Sequence, residues 1–149
     1  MKFLDISFME EAIKEAELAL KENEVPIGAV IVHKNKIIGR GHNQVEKLKD
    51  PTAHAEIIAL SSASNYLKDW RLKGATIYIT CEPCLMCMGA ILLARIKRIV
   101  YGTKEEKFGF FSNYPEFYNS IKGKVEVISG IKEEETKFLL KKFFEKKRK

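Results

Sequence analysis

Two short segments, about thirty residues apart, contain residue types that can bind a metal ion and transfer protons. The first holds His54 and Glu56, and the second holds Cys84 and Cys87, with Pro83 directly before the first cysteine. One imidazole and two thiolates suit zinc, and three protein ligands leave the fourth position of the ion open for water. Zinc lowers the pKa of that water to about 7, and a nearby carboxylate that does not bind the ion can accept its proton. The two segments therefore predict a hydrolytic zinc site with Glu56 as the proton shuttle.

The start of a helix is expected to position each segment. Pro83 is tolerated at the first position of a helix, which would place Cys84 in the first turn and Cys87 on the same face. Thr52 is the expected N-cap of the helix that carries the His-x-Glu pair. Residues two apart on an ideal helix point in different directions, so this pair can converge only if both members lie at the helix tip.

The same residue types also occur in sites without catalytic function. A Cys-x-x-Cys pair is found in structural zinc sites and in redox motifs. A structural zinc site would need a fourth protein ligand, for which His33, His42 and Cys81 are the candidates. The complete set, with Pro83 before the first cysteine and Glu56 two residues after the histidine, favours the catalytic interpretation.

Length and composition indicate one globular domain covering residues 1–149. Hydrophobic residues make up 46% of the chain, which is normal for a protein with a packed core. No apolar run reaches the roughly 18 residues of a membrane span, and the N-terminus lacks the apolar core of a signal peptide. The three cysteines are odd in number and lie within seven residues, which argues against a disulfide framework. We therefore expect a cytoplasmic protein with no membrane partner.

Most of the net positive charge lies at the C-terminal end. Of the last nine residues, 141–149, six are basic and one is acidic, which accounts for +5 of the formal net charge of +6. Clustered Lys and Arg side chains supply the salt-dependent part of nucleic-acid binding. A solvated C-terminus that contacts nothing would have the same composition, so charge alone leaves both interpretations open.

Hydrophobic periodicity predicts alternating helices and strands. The segment 103–120 is expected to be irregular, and its aromatic residues fit a core or dimer contact better than a platform for stacking bases. Trp70 is expected to pack, and Ile91, Leu92 and Leu93 are expected to be buried. A strand, a helix and a parallel strand form a right-handed crossover, which would place the site at the strand ends. The predicted helices are 7–23, 55–65, 84–94 and 133–147, and the predicted strands are 27–32, 37–39, 75–80, 99–102 and 125–129.

With these residues in view, the chain resembles the tRNA-specific adenosine deaminases of the cytidine deaminase superfamily over nearly its whole length. The pattern H-x-E followed by P-C-x-x-C is the signature of zinc deaminases. A C-terminal helix with two Phe and basic residues adds to the likeness. The matching segments are 24–30 (EVPIGAV), 41–43 (GHN), 50–56 (DPTAHAE), 82–87 (EPCLMC) and 94–96 (ARI).

The resemblance implies a fold, a reaction and a set of site residues. It implies a three-layer α/β/α sandwich around a five-stranded mixed sheet, and a homodimer that converts the wobble adenosine of a tRNA anticodon stem-loop to inosine. It also implies that one Zn²⁺ ion per subunit is bound by His54, Cys84 and Cys87. An anticodon loop displays unstacked bases, so extruding one of them costs little. The substrate contacts predicted in this way are Asn43, the backbone of Ala55, Ile27, Lys107 and Phe144.

Two positions depart from the family pattern. Glu105 stands where the tRNA enzymes usually carry Asp, and residues 108–111 (FGFF) replace a run of small residues. Cys81 replaces an apolar residue and is expected to be a buried strand residue, although it could offer a third thiolate. Two other functions stay open: a deaminase of a free nucleobase or nucleoside (guanine, cytosine or cytidine), and a non-catalytic nucleic-acid-binding module with structural zinc.

Overall fold

The computed structural model of the protein describes residues 2–147. Met1, Arg148 and Lys149 lie outside the described residues, and so does the last part of the basic C-terminal segment. Five strands alternate with seven helices within the described part of the chain. They are α1 (Lys2–Lys21), β1 (Gly28–His33), β2 (Lys36–His42), α2 (Val45–Leu48), α3 (Ala55–Leu67), β3 (Thr76–Cys81), α4 (Leu85–Leu93), β4 (Arg98–Thr103), α5 (Phe110–Asn113), α6 (Pro115–Ile121), β5 (Glu126–Ile128) and α7 (Glu133–Lys147).

The strands form one mixed sheet in the order β2-β1-β3-β4-β5. Strand β1 is antiparallel to both β2 and β3, whereas β3, β4 and β5 are parallel to one another. Helices α1 and α7 cover one face of the sheet, and α3 and α4 cover the other. The predicted α/β/α sandwich with a five-stranded mixed sheet is confirmed.

Alternation along β1 sends side chains into two separate cores. Val30 and Val32 pack with α1, while Ala29 and Ile31 pack on the α3 and α4 side. Glycine in β2 allows α3 to lie directly on the sheet, because a Cβ at Gly41 would be 2.5 Å from the carbonyl oxygen of α3 residue Ala55. This close packing fixes the N-terminal end of α3 against the sheet edge.

A buried ion pair ties α1 to the sheet. The Asp5 carboxylate accepts hydrogen bonds from Arg98 at 2.7 and 2.9 Å and from the Tyr78 hydroxyl at 2.8 Å. Burial by itself would raise the pKa of Asp5, but the hydrogen bonds from Arg98 and Tyr78 outweigh burial and hold the pKa below its usual value of 3.8.

Three expectations about local structure were wrong. The segment 103–120 is irregular only over residues 104–109, because α5 and α6 follow, with Pro115 opening the second helix. Phe110 is completely buried there and packs edge-on against Phe117. Trp70 is 53% exposed and is flanked by two guanidinium groups. On α4 only the first of the three predicted apolar residues is buried, since Leu93 is 69% exposed.

None of the helices in residues 2–147 combines the length and the apolar character that a membrane crossing requires.

Candidate metal centre and active site

The N-terminal ends of α3 and α4 meet near the C-terminal end of β3 and bring the two predicted segments together. His54 is the N-cap of α3, with an extended backbone at φ −79° and ψ 154°. Cys84 is the N-cap of α4, at φ −79° and ψ 174°. Helix α3 begins at the predicted Ala55 and α4 begins one residue after the predicted Cys84, but neither Thr52 nor Pro83 takes its predicted position, because both lie before the N-cap. With His54 at the cap and Glu56 in the first turn, both side chains belong to the helix tip.

One imidazole nitrogen and two sulfur atoms have the spacing of ligands around a single ion. The Nδ1 atom of His54 lies 3.7 Å from Sγ of Cys84 and 3.5 Å from Sγ of Cys87. All three ligand atoms lie within 4.8 Å of one another. A tetrahedral zinc ion with Zn–S of about 2.3 Å and Zn–N of about 2.05 Å would separate nitrogen from sulfur by about 3.6 Å. The three side chains therefore fit a zinc ion.

A fourth protein ligand is missing from this group. Among residues 2–147 the metal-ligand group comprises His54, Cys84 and Cys87. His42 lies between Glu15 and Glu22 instead, and His33 lies beside Gly74. A structural zinc site, which needs four protein ligands, therefore receives no support from these candidates.

The third cysteine of the segment is buried but stands apart from the ligand group. Cys81 is the last residue of β3 and is 2% exposed. Burial raises the pKa of its thiol, which disfavours the thiolate that a metal ion would require. This placement agrees with the expectation that Cys81 is a buried strand residue.

The ligand side chains stabilise a thiolate on Cys84. Hydrogen bonding from Cys87 and His54 lowers the pKa of the Cys84 thiol to about 4, against the opposing effect of burial. The hydrogen bond to Cys84 in turn raises the pKa of His54. A low thiol pKa is typical of cysteines that bind metals, because the thiolate is the ligand.

Glu56 lies beside the ligand group and is almost completely buried, with 4% of its surface exposed. Burial raises the pKa of this carboxyl group to about 7. A group whose pKa is near the working pH can both accept and donate a proton, which is the property required of a general acid and base.

The site opens into a cavity of about 640 Å³. Four of the five predicted substrate contacts line it: Ile27, Asn43, Ala55 and Phe144. Asn43 is buried, and its backbone N–H donates to the Ile27 carbonyl at 3.1 Å. Lys107 is exposed on the turn beside the cavity, with Nζ 5.5 Å from the ring centre of Phe108.

Sequence reasoning assigned no role to two buried glutamates at this cavity. Glu82 accepts hydrogen bonds from the Glu105 N–H at 2.9 Å and from the N–H and hydroxyl of Ser112 at 2.7 and 2.8 Å. Glu24 accepts hydrogen bonds from the N–H groups of Glu46 and Lys47 at 3.1 and 2.8 Å. Each carboxylate fixes a segment that borders the cavity. Both glutamates open segments that match the family, 24–30 and 82–87, and this was the available signal.

On this fold, a metal-ligand group of one His and two Cys beside a buried Glu defines the zinc deaminase class. Residues 4–148 match the family of MafB19-like deaminases. A tRNA-specific adenosine deaminase of Rickettsia typhi is 42% identical over 144 residues, which cover 94% of this chain and 97% of that protein.

Two solved structures of deaminases resemble this chain to different extents. A structure from a study of A-to-I editing by tRNA:A34 deaminases at the wobble position is 41% identical, with a TM-score of 0.85 over 90% of this chain and 99% of that one. The guanine deaminase of Bacillus subtilis is 37% identical, with a TM-score of 0.64 over 69% of each chain. The chain belongs to the tRNA-specific adenosine deaminases.

Proposed function

We propose that this protein hydrolyses adenosine to inosine at the wobble position of a tRNA anticodon, releasing ammonia. The observation that carries the proposal is the placement of a buried acid, Glu56, beside a three-ligand metal group at the base of a cavity. The family supports the choice of substrate, because the relatives that match nearly the whole chain are named as tRNA adenosine deaminases.

The proposed cofactor is one Zn²⁺ ion per subunit, held by His54 Nδ1 and by the Sγ atoms of Cys84 and Cys87. The nitrogen–sulfur distances of 3.5 and 3.7 Å support this choice. A bound zinc ion supplies Lewis acidity, which lowers the pKa of a water molecule in its open position to about 7.

The chain itself positions the substrate and moves the protons. Glu56 takes a proton from the attacking water and delivers it to the ring N1 of adenine, so that C6 accepts the new C–O bond. The same carboxyl group then transfers the second proton to the exocyclic nitrogen, and the C6–N bond breaks to release ammonia. The amide of Asn43 and the backbone of Ala55 are the proposed contacts that orient the nucleoside.

A macromolecular substrate agrees with the cavity and its surroundings. The cavity is open to solvent at the end of the molecule where α7 ends, and Phe144 and Lys147 of that helix line its mouth. Two further basic side chains are exposed on the turn after β4: Lys104, which lines the cavity, and Lys107. Basic groups around a pocket that accepts one base suit an RNA loop, whose phosphates lie outside the pocket.

The proposal includes a homodimer, a single deaminase domain over residues 1–149 and a cytoplasmic location. The apolar side chains on the outer face of α4 support the dimer, since Leu85, Met86 and Leu93 are 42%, 37% and 69% exposed. Light scattering on the purified protein would measure its mass, and a monomer would contradict this part. Microscopy of a tagged chain tests the location.

The deciding experiment compares an anticodon stem-loop RNA with free nucleosides and bases. The purified zinc protein should form inosine in a stem-loop with adenosine at the wobble position, and should leave the same stem-loop unchanged when that adenosine is moved by one position. Free adenosine, guanine, cytosine and cytidine should react slowly or not at all. Because a guanine deaminase shares part of the fold at 37% identity, turnover of guanine without turnover of RNA would replace the proposal with that activity.

The basic end of α7 gives a separate prediction about RNA affinity. Removing residues 146–149 should weaken binding of the stem-loop and reduce the slope of log K against log salt by roughly 0.7 for each phosphate that is no longer neutralised. Metal content should stay the same. Lys34→Ala, at the β1–β2 turn far from the cavity, is the control and should leave the slope unchanged. An unaltered affinity after truncation would show that the tail is only solvated.

A further inference from the structure

The turn after β4 presents an exposed aromatic ring at the mouth of the cavity. Phe108 is 65% exposed, and it lines the same cavity as His54 and Glu56. A phenyl ring left in water gives up the stabilisation that burial would provide. Neighbouring Phe110 is completely buried, so the two rings of this segment have different surroundings.

This turn is anchored to the segment that carries the metal ligands. The three hydrogen bonds accepted by Glu82 hold residues 105 and 112, and the Phe110 N–H donates to the Pro83 carbonyl at 2.8 Å. Gly109 also pairs with Cys84 in an isolated β-bridge. A Cβ at Gly109 would lie 2.3 Å from the Glu82 carboxylate, so glycine is required at this contact. The backbone on both sides of Phe108 is therefore anchored to the segment that carries Cys84.

An ammonium group lies beside the ring, in a turn that carries charges of both signs. The Lys107 ammonium lies 5.5 Å from the centre of the Phe108 ring, whereas Lys104, Glu105 and Glu106 of the same turn line the cavity. From α7, Phe144, which is 48% exposed, and Lys147 also line the cavity. An aromatic face beside an ammonium group matches the two parts of an unpaired nucleotide, which are a base that stacks and a phosphate that carries negative charge.

We propose that Phe108 stacks on an unpaired nucleobase adjacent to the adenosine that is deaminated, and that Lys107 lies near the phosphate of that nucleotide. The proposal rests on the proposed function, because the cavity takes the target base and leaves its neighbours at the mouth. Such a contact selects for an unpaired and stackable neighbour.

Binding measurements on a protein that cannot turn over its substrate test the stacking. In a Glu56→Gln background, Phe108→Ala should weaken stem-loop binding by roughly 5- to 160-fold, which is the range for removal of one base–aromatic stack. Phe108→Tyr keeps a ring and should bind within about twofold of the parent. Phe138→Ala is the matched control, since Phe138 is 61% exposed on α7 and lies outside the cavity.

Abasic RNAs separate stacking from a general structural effect. An abasic nucleotide at the stacked position should weaken binding of the parent and abolish the difference between the parent and Phe108→Ala. A loss of affinity that is the same for intact RNA and for RNAs abasic on either side of the target would overturn the proposal, as would an unchanged affinity. A change of oligomeric state in Phe108→Ala would assign the ring to a subunit contact and would also overturn it.

Turnover distinguishes this proposal from the one on which it rests. With Glu56 intact, Phe108→Ala should raise KM for the stem-loop and change kcat little, because the ring lies outside the reacting base. If the unaltered protein formed no inosine in any stem-loop, the proposed function would fail. If it formed inosine but Phe108→Ala left KM unchanged, only the stacking contact would fail.

Discussion

Two glutamates border the same cavity and are equally buried, but the protein surrounds them differently. Glu56 and Glu82 are each 4% exposed, and both line the cavity. Glu82 accepts one hydrogen bond from Glu105 in the turn after β4 and two from Ser112 of α5. Glu56 lies beside the metal-ligand group and has a pKa that burial raises to about 7.

The difference shows how neighbouring donors decide the role of a buried acid. Fixed N–H and O–H donors compensate the desolvation of Glu82. These hydrogen bonds connect the segment before the metal-ligand cysteines to residues 105 and 112. Glu56 is hydrogen-bonded to its own backbone N–H and to the Cys87 thiol, but burial outweighs these contacts and a proton is easier to add. Asp5 is as buried as these two and is paired with Arg98, which extends the comparison to an acid far from the site.

Removing a metal ligand should have the largest effect. Cys84→Ala should lose bound zinc and all ammonia release, because two remaining protein ligands hold the ion weakly. Elemental analysis of the purified protein and an ammonia assay measure both effects. Cys81→Ala is the matched control in the same segment and should keep its zinc. Loss of metal from Cys81→Ala instead would mean that the ligand group contains a different thiol.

Replacing the acid beside the metal should abolish the reaction but spare the metal. Glu56→Gln fills the same space but cannot shuttle protons. The value of kcat should therefore fall by about 10²- to 10⁴-fold. Zinc content and melting temperature should stay close to those of the parent. If Glu56→Gln purified without zinc, the acid would be a ligand and the contrast with Glu82 would disappear.

The third buried acid should affect stability and leave catalysis unchanged. Asp5→Asn should lower the free energy of unfolding at pH 7 by about 2–3 kcal/mol, because it leaves Arg98 without its partner. The folded-state pKa of Asp5 lies below 3.8, so the unfolded chain takes up the proton first as pH falls. The stabilisation is therefore present above about pH 4 and is lost as pH falls through the folded pKa.

Denaturant titrations of the parent and of Asp5→Asn from pH 7 to pH 2.5 check this dependence. The difference between the two proteins should shrink towards the acid end. A difference that is the same at every pH would show that the carboxylate is not responsible for the stabilisation.

Replacing the tied glutamate should have the smallest effect of the four. Glu82→Gln keeps one carbonyl oxygen but turns an NH₂ group towards one of its donors, at a cost of about 1–2 kcal/mol of unfolding free energy. Because the turn then moves more freely, KM for the stem-loop should rise severalfold while zinc content stays the same. A fall in kcat as large as that of Glu56→Gln would show that the two acids share the catalytic role.

Much of the site could be predicted from the sequence because few residue types bind zinc and their spacing is local. His54, Cys84 and Cys87 come together as predicted, and Glu56 lies beside them. The N-cap of α3 was placed two residues too early, at Thr52, since local propensity does not distinguish a cap from the residues before it. The folding of 103–120 into helices was missed because buried aromatic contacts, such as that of Phe110 with Phe117, override weak local preference.

The sequence by itself determined the class of chemistry, since one imidazole, two thiols and an acid at these spacings have few other uses. It also determined the alternation of helices and strands, because hydrophobic periodicity is a local property. Only the tertiary structure decided that Glu82 ties the turn after β4 to the ligand segment, and that Phe108 is exposed beside a buried Phe110. Those outcomes depend on contacts between residues 23 to 30 positions apart and on the space around each ring. The local amino-acid sequence does not specify either of them.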